Sequence, residues 1–376
     1  MRLGTCVALE LAFAISSITG AWFGVGWAIE RAGVYVDTRE ASAEAAPASA
    51  STAEPIAAMP VVAVAAPAPE LHVAVTTPRP PPSGTVFPAP DADLLAPIDA
   101  APLQRVKLNR GGSSLSLRIE FSNGARAAFK PEQTHPQSDP RREIAAYRMD
   151  RLLGIGHVAP AKGASFTVAQ LIAAADPSQR AQLAQRIDDE GTPRGRVLRG
   201  ELQWWIPEIK DGQLAGRPLD DANGMAAWGR YLQADGPPIP DELRPLLAQI
   251  ATVVLFDVVI DNADRWSGTN TKTSPDGATL YFMDNTLSFS PYTLGHKANL
   301  TPLHDISVFP RALVARLRAL TLESVTAAVV RGDDAGLAPL LSQAELRAIL
   351  ARRDHVVTYI DQMIARYGDA AVLAFP

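Results

Sequence analysis

Two aspartates, Asp264 and Asp284, each follow an apolar run, V-V-L-F-D-V-V-I before the first and L-Y-F-M before the second. Between them lie the amide Asn270 and a Ser-Pro-Asp-Gly turn at 274–277. Carboxylates and an amide carried at the ends of two apolar elements suit phosphoryl transfer. That chemistry needs a carboxylate beside the attacking hydroxyl and hard oxygen ligands for Mg²⁺ or Mn²⁺. Asp264 suits the first role, and Asn270 and Asp284 suit the second. A competing account places Asp257, Asp261 and Asp264, at i, i+4 and i+7, on one solvated helix face. Their neighbours Val253, Val254, Leu255, Phe256, Val258, Val259 and Ile260 weigh against it, because carboxylates in such a run are rarely left unpaired.

The elements that must position these groups follow from periodicity. Leu243 to Val259 reads as a buried helix, and the residues just before Asp284 as a short strand. Further upstream, Val106–Leu108, Leu115–Phe121 and Ala125–Phe129 read as strands, with a Ser-Asn-Gly turn between the last two. Gly111, Gly112 and Ser113 lie between the first two strands, where their amides could approach a phosphate or simply form a tight turn. Lys130 closes the third strand on the face opposite Phe129, so it either reaches phosphates over the sheet or ends the strand in solvent. Glu143 sits in the first turn of a helix expected from Pro140 to Leu153, placed to pair with Lys130 or to favour the helix dipole. The aromatic strand Gly200–Ile209 either lines a pocket between lobes or packs in a core. Ala169–Arg186 reads as helical, Lys210–Glu242 as loop-rich, and Arg311–Leu320, Leu322–Val330, Gln343–Arg352 and Val356–Tyr367 as amphipathic helices.

The amino-terminal third has a different composition. Leu11–Ile29 is uncharged and apolar, just long enough to span a bilayer, with Trp22 and Trp27 as interfacial residues. Gly20 and Gly24 form a G-x-x-x-G pair that would support a weak dimer of such helices. From 41 to 102 the chain holds 13 of its 31 prolines and no lysine, the composition of a disordered tether. The reading is therefore an anchor with flanks at 1–40, a linker at 41–102 and a folded domain at 103–376, divided near residue 205. A formal net charge of −5 without a lysine/arginine run argues against nucleic acid as a partner. Cys6 is the chain's single cysteine, which excludes an intramolecular disulfide, and the six histidines lack zinc-ligand spacing.

The runs G-G-S-S-L-S-L-R-I-E-F-S-N-G-A-R-A-A-F-K-P, E-I-A-A-Y-R-M-D-R-L-L-G-I, D-N-A-D-R-W-S-G-T-N and L-Y-F-M-D-N-T-L-S-F occur in this order between Val106 and Leu320. Together they resemble the atypical secretory-pathway kinases, the family of the four-jointed kinase and the Golgi secreted casein kinase. The resemblance implies an α+β, two-lobed kinase-like fold, with a small β-rich N-lobe (about 103–205) and an α-rich C-lobe (about 206–376). It implies ATP and Mg²⁺ or Mn²⁺ as cofactors, and a protein Ser/Thr or a sugar hydroxyl as acceptor. By the same resemblance Lys130 contacts ATP phosphates, Glu143 pairs with it or helps hold metal, Asp264 is the catalytic aspartate and Asp284 binds metal, with Asn270 a further ligand. Residues 291–309 then stand where such enzymes hold an activation or substrate loop. Trp266 departs from the histidine many members carry after Asp-Arg, and the cysteines of the animal members are absent. A nucleotide-binding pseudokinase or scaffold, and an AMP-transferring enzyme on the same fold, are the alternatives. The composition suggests a bacterial chain held at the inner membrane, with the facing side of the domain open.

Overall fold

A computed structural model describes residues 84–109, 113–267, 270–330 and 334–376. The expected membrane span at 11–29 and Gly111 and Gly112 lie outside the described residues. Among the described residues no helix is long and apolar enough to cross a membrane. Folded structure begins earlier than the composition suggested, with helix α1 (Asp91–Ala100) inside the stretch expected to be a linker. Tertiary contacts override the proline content there. Asp91 accepts hydrogen bonds from Tyr147 Oη at 2.9 Å and Arg151 Nε at 2.7 Å, and Ile98 is buried.

Alternation builds the N-lobe. β1 (Leu103–Leu108), β2 (Leu117–Phe121) and β3 (Arg126–Pro131) form an antiparallel meander in which Leu117, Ile119, Phe121, Ala127 and Phe129 face the core. Period 2 leaves Ala128 and Lys130 on the other, half-buried face, as the sequence required. Helix α2 (Pro140–Leu152) begins where the Asp139 side chain accepts the Arg141 amide at 3.0 Å and Pro140 occupies the first turn. β4 (Ala161–Thr167), α3 (Val168–Ala173), α4 (Arg180–Glu190) and β5 (Val197–Trp204) complete a five-stranded sheet in the order β1-β2-β3-β5-β4. β5 pairs with β3 in a register that sets Glu201 opposite Lys130. Gly200 permits that pairing, since a Cβ there would stand 2.2 Å from the Lys130 carbonyl oxygen.

The C-lobe is organised on a single apolar helix. After the short strands β6 (Lys210–Asp211), β7 (Gln213–Leu214) and β8 (Arg217–Pro218) comes α5 (Ala222–Tyr231), a helix in the segment expected to be loop-rich. Its burial of Trp228 against the core supplies what local propensity did not. α6 (Arg244–Ile260) then buries every residue from Val253 to Ile260, Asp257 included. β9 (Thr271–Thr273) and β10 (Leu280–Phe282) pair antiparallel, with β6 on the free side of β9. The rest is helical, comprising α7 (Lys297–His304), α8 (Arg311–Ala319), α9 (Leu322–Val330), α10 (Gln343–Tyr367) and α11 (Asp369–Val372). The two terminal helices expected at 343–352 and 356–367 are one, α10. Arg353-Asp354-His355 contains no breaker, and Ser342 and Glu345 close a capping box at its start.

Candidate active site

Lys130 is the centre of a charge cluster over the sheet. Its Nζ donates to Glu143 Oε1 at 3.1 Å and to Asp284 Oδ1 at 2.8 Å, so strand β3, helix α2 and the end of β10 meet at one ammonium group. Burial alone would depress the Lys130 pKa, but the charges of Asp284, Glu143 and Glu201 outweigh it and hold the amine firmly protonated. Glu143 is almost fully buried and also accepts from the Asn285 backbone N at 2.9 Å and from Asn285 Nδ2 at 3.1 Å. The helix-dipole account of Glu143 is therefore insufficient, because both its oxygens are used in a tertiary network.

Asp284 leaves β10 with φ of +54°, a left-handed backbone that turns its side chain out of the strand alternation. The side chain is 43% exposed. Burial would raise its pKa, but the Lys130 charge and hydrogen bonds from Lys130 and Thr286 prevail, and the carboxyl is held below its usual range. Thr286 Oγ1 and Lys130 both donate to Oδ1, which leaves Oδ2 without a hydrogen bond among the described residues.

Asp264 sits four residues beyond the end of α6. Ser267 Oγ donates to its Oδ1 at 2.6 Å and Asn270 Nδ2 to its Oδ2 at 2.8 Å, so both carboxylate oxygens are oriented from within the loop. Asn270 is thus brought to Asp264, whereas no hydrogen bond joins it to Asp284 among the described residues. The link between the two aspartates is made instead by Asn262 and Arg265. Asn262 Oδ1 accepts the Asp264 amide at 3.2 Å, while its Nδ2 donates to the Asp284 carbonyl at 3.1 Å. Arg265, fully buried, pairs with Asp257 at 3.0 Å and donates to the carbonyls of Asn270 and Met283 and to Asn285 Oδ1. Burial pushes the Asp257 carboxyl up to about 6 against the opposing Arg265 charge. Asp257 and Asp261 are therefore buried and partnered, so the solvated-face account of these aspartates fails. We expect Arg265→Met to destabilise the fold by about 3–5 kcal/mol, the cost of leaving a buried charge unpaired. A thermal midpoint unchanged from the parent chain would contradict the role given to this pair.

Ser113 lies at the surface and is held to the lobe through His135 Nε2, at 3.0 Å from its Oγ. Glu201 was not singled out by its sequence. It is 1% exposed, and its Oε2 has no hydrogen-bond partner among the described residues. Burial and then the Glu143 charge push its carboxyl well above the usual range, against the attraction of Lys130. Only strand register, legible once β5 is paired with β3, reveals Glu201 beside Lys130. Asn262, Arg265 and Asn285 were visible inside the quoted motifs, but nothing in their spacing set them apart.

Two carboxyl groups, Glu143 and Asp284, share the single ammonium group of Lys130. Among the described residues no group of three or more His, Cys, Asp or Glu side chains forms a ready-made metal site. The carboxylate oxygens of Asp284 and Glu143 are hard donors of the kind that, one or two at a time and completed by substrate phosphates, hold Mg²⁺ or Mn²⁺.

The family model described as Golgi casein kinase, C-terminal, Fam20, matches residues 238–372. This is the region that carries Asp264, Asn270 and Asp284. The chain is Fam20-like. The secretory-kinase resemblance read from its motifs is borne out as a likeness to this family. This Fam20-like chain is 24% identical over 330 residues to glycosaminoglycan xylosylkinase from Homo sapiens, covering 77% of the chain and 79% of the relative. It is 22% identical over 322 residues to the human extracellular serine/threonine protein kinase FAM20C, covering 73% of the chain and 54% of that protein. A crystal structure of the Golgi casein kinase with Mn/ADP bound superposes with a TM-score of 0.59 at 16% identity, over 75% of this chain and 78% of the other. That likeness establishes the kinase-like architecture.

Proposed function

We propose that this protein is a metal-dependent kinase that transfers the γ-phosphoryl group of ATP to a hydroxyl. The observation that carries the reading is the meeting of Lys130, Glu143 and Asp284 within 3.1 Å contacts, together with the linkage of Asp284 to Asp264 through Asn262. In this reading Lys130 binds the nucleotide phosphates. Asp284 holds Mg²⁺ or Mn²⁺, with Asn270 as a further ligand, and the ion neutralises phosphate charge when bound. Asp264 accepts the proton of the acceptor hydroxyl. Ser267 and Asn270 fix the rotamer of that carboxylate, and Gly111, Gly112 and Ser113 would contribute to nucleotide binding.

The relatives' names point to two acceptor classes, a protein serine or threonine and a sugar hydroxyl. Residues 11–29 would tether the enzyme to a membrane, ahead of a linker shortened by α1. The test is transfer of labelled γ-phosphate from ATP, with Mn²⁺, to dephosphorylated casein and to a xyloside. Label in either acceptor supports the reading. Addition of AMP instead would favour the nucleotidyl-transferring alternative, and nucleotide binding without any transfer would favour the pseudokinase.

A further inference from the structure

Asp261 lies three residues before Asp264 and takes no part in the chemistry proposed above. It is completely buried, ends α6 with φ of +59°, and carries a fully engaged carboxylate. A non-glycine residue in this left-handed conformation is held there by its surroundings. Oδ1 accepts the backbone N of His296 at 2.8 Å and Nδ2 of Asn299 at 2.9 Å. Oδ2 accepts from Ser290 Oγ and lies 2.8 Å from His296 Nδ1. All of these partners come from residues 290–299, the segment that follows Asp284. The carboxylate therefore joins the chain leading into Asp264 to the chain leading out of Asp284.

The same junction is closed from below by α10. Arg352, fully buried, donates through Nε to the Val259 carbonyl at 3.0 Å, and through Nη1 to the carbonyls of Ser290 at 3.0 Å and Tyr292 at 2.7 Å. Gly295 has φ of +79°, and a Cβ there would stand 2.7 Å from Asp261 Oδ1 and 3.0 Å from Arg352 Cδ. The loop is thus folded onto Asp261 as tightly as a glycine allows. What it presents outward is different in kind. Tyr292 and Leu294 are exposed at 48% and 60%, and the His296 ring, 37% exposed, stacks edge-on against Tyr292 at 5.7 Å. Rigid anchoring beneath an exposed tip is wasteful if the loop only closes the fold, since ordering it costs conformational entropy.

We propose that Asp261 is a positioning residue for phosphoryl transfer, which through Ser290, His296 and Asn299 fixes the 290–299 loop as the acceptor-facing wall beside Asp264 and Asp284. The proposal rests on the kinase reading. It separates acceptor use from nucleotide use, because the network touches neither Lys130 nor Glu143. His296 is the accessible member and so the one to vary. Asparagine places an amide donor near the position of Nδ1, whereas leucine does not.

The experiment measures steady-state transfer from ATP with Mn²⁺ to dephosphorylated casein and to a xyloside, together with ADP–Mn²⁺ affinity, for the full chain and for His296→Leu and His296→Asn. We expect His296→Leu to raise the acceptor KM by about tenfold, roughly the effect of one lost positioning hydrogen bond, with ADP–Mn²⁺ affinity unchanged. His296→Asn should recover most of that loss. Acceptor KM within twofold of the parent chain in His296→Leu, an equal loss of nucleotide affinity, or no recovery in His296→Asn would each overturn the proposal and leave the kinase reading standing. Absence of transfer by the parent chain to both acceptors would overturn both.

Discussion

Asp264→Asn is expected to reduce phosphoryl transfer by about 10²–10⁴-fold, the usual contribution of a positioned general base, while nucleotide affinity stays the same. The reason is local. Ser267 Oγ and Asn270 Nδ2 donate to opposite oxygens of Asp264, at 2.6 Å and 2.8 Å. An asparagine keeps one oxygen for Asn270 and turns its amide toward Ser267, whose hydroxyl can rotate to accept. The loop keeps its shape, and the proposed acceptor of the hydroxyl proton is gone. Single-turnover transfer with saturating ATP and Mn²⁺, measured beside ADP affinity, separates the two effects. A loss of only a few-fold in transfer would remove Asp264 from the role of base.

Asp284→Asn is expected to abolish the metal dependence of nucleotide binding and to cost about 10²-fold or more in kcat, as loss of a charge-stabilising group in an active site does. Here too the backbone should survive, because asparagine tolerates the left-handed conformation that Asp284 adopts at φ of +54°. The variant keeps an oxygen for Lys130 and Thr286 but removes the carboxylate charge that Lys130 holds in place against burial. Isothermal titration of the variant with ATP, with and without Mn²⁺, checks this. The account expects two indistinguishable curves from the variant and well-separated ones from the parent chain. Undiminished metal dependence in the variant would place the cation elsewhere.

Much of this site was legible because its groups sit where simple periodicities end. Strand alternation put Lys130 on the face away from Phe129, and the proline and aspartate before Arg141 fixed the start of the helix bearing Glu143. The apolar run before Asp264 and the short apolar strand before Asp284 marked the second half. What escaped depends on contacts distant in sequence. Glu201 becomes a neighbour of Lys130 only through the β3–β5 register, although three helices and strand β4 intervene in the sequence. The hydrogen bond from Asn270 Nδ2 to Asp264, and the bridge that Asn262 makes between the aspartates, carry no local signature either. α1 was hidden by composition, since the ion pair of Asp91 with Arg151 and the burial of Ile98 carry no local signature. α5 was hidden in the same way, its Trp228 meeting Trp266 beside the Asp264 loop at 5.3 Å between ring centroids.

The most direct test of the central claim is the thermal midpoint of the full chain alone, with ATP, with ATP and Mn²⁺, and for Asp284→Ala with both. A ligand that binds only the folded form stabilises it by about 2.7 kcal/mol at a hundredfold excess over its Kd. The account predicts a rise with ATP that Mn²⁺ enlarges and that Asp284→Ala loses. No rise with ATP in the parent chain, with or without Mn²⁺, would contradict a nucleotide site at Lys130, Glu143 and Asp284.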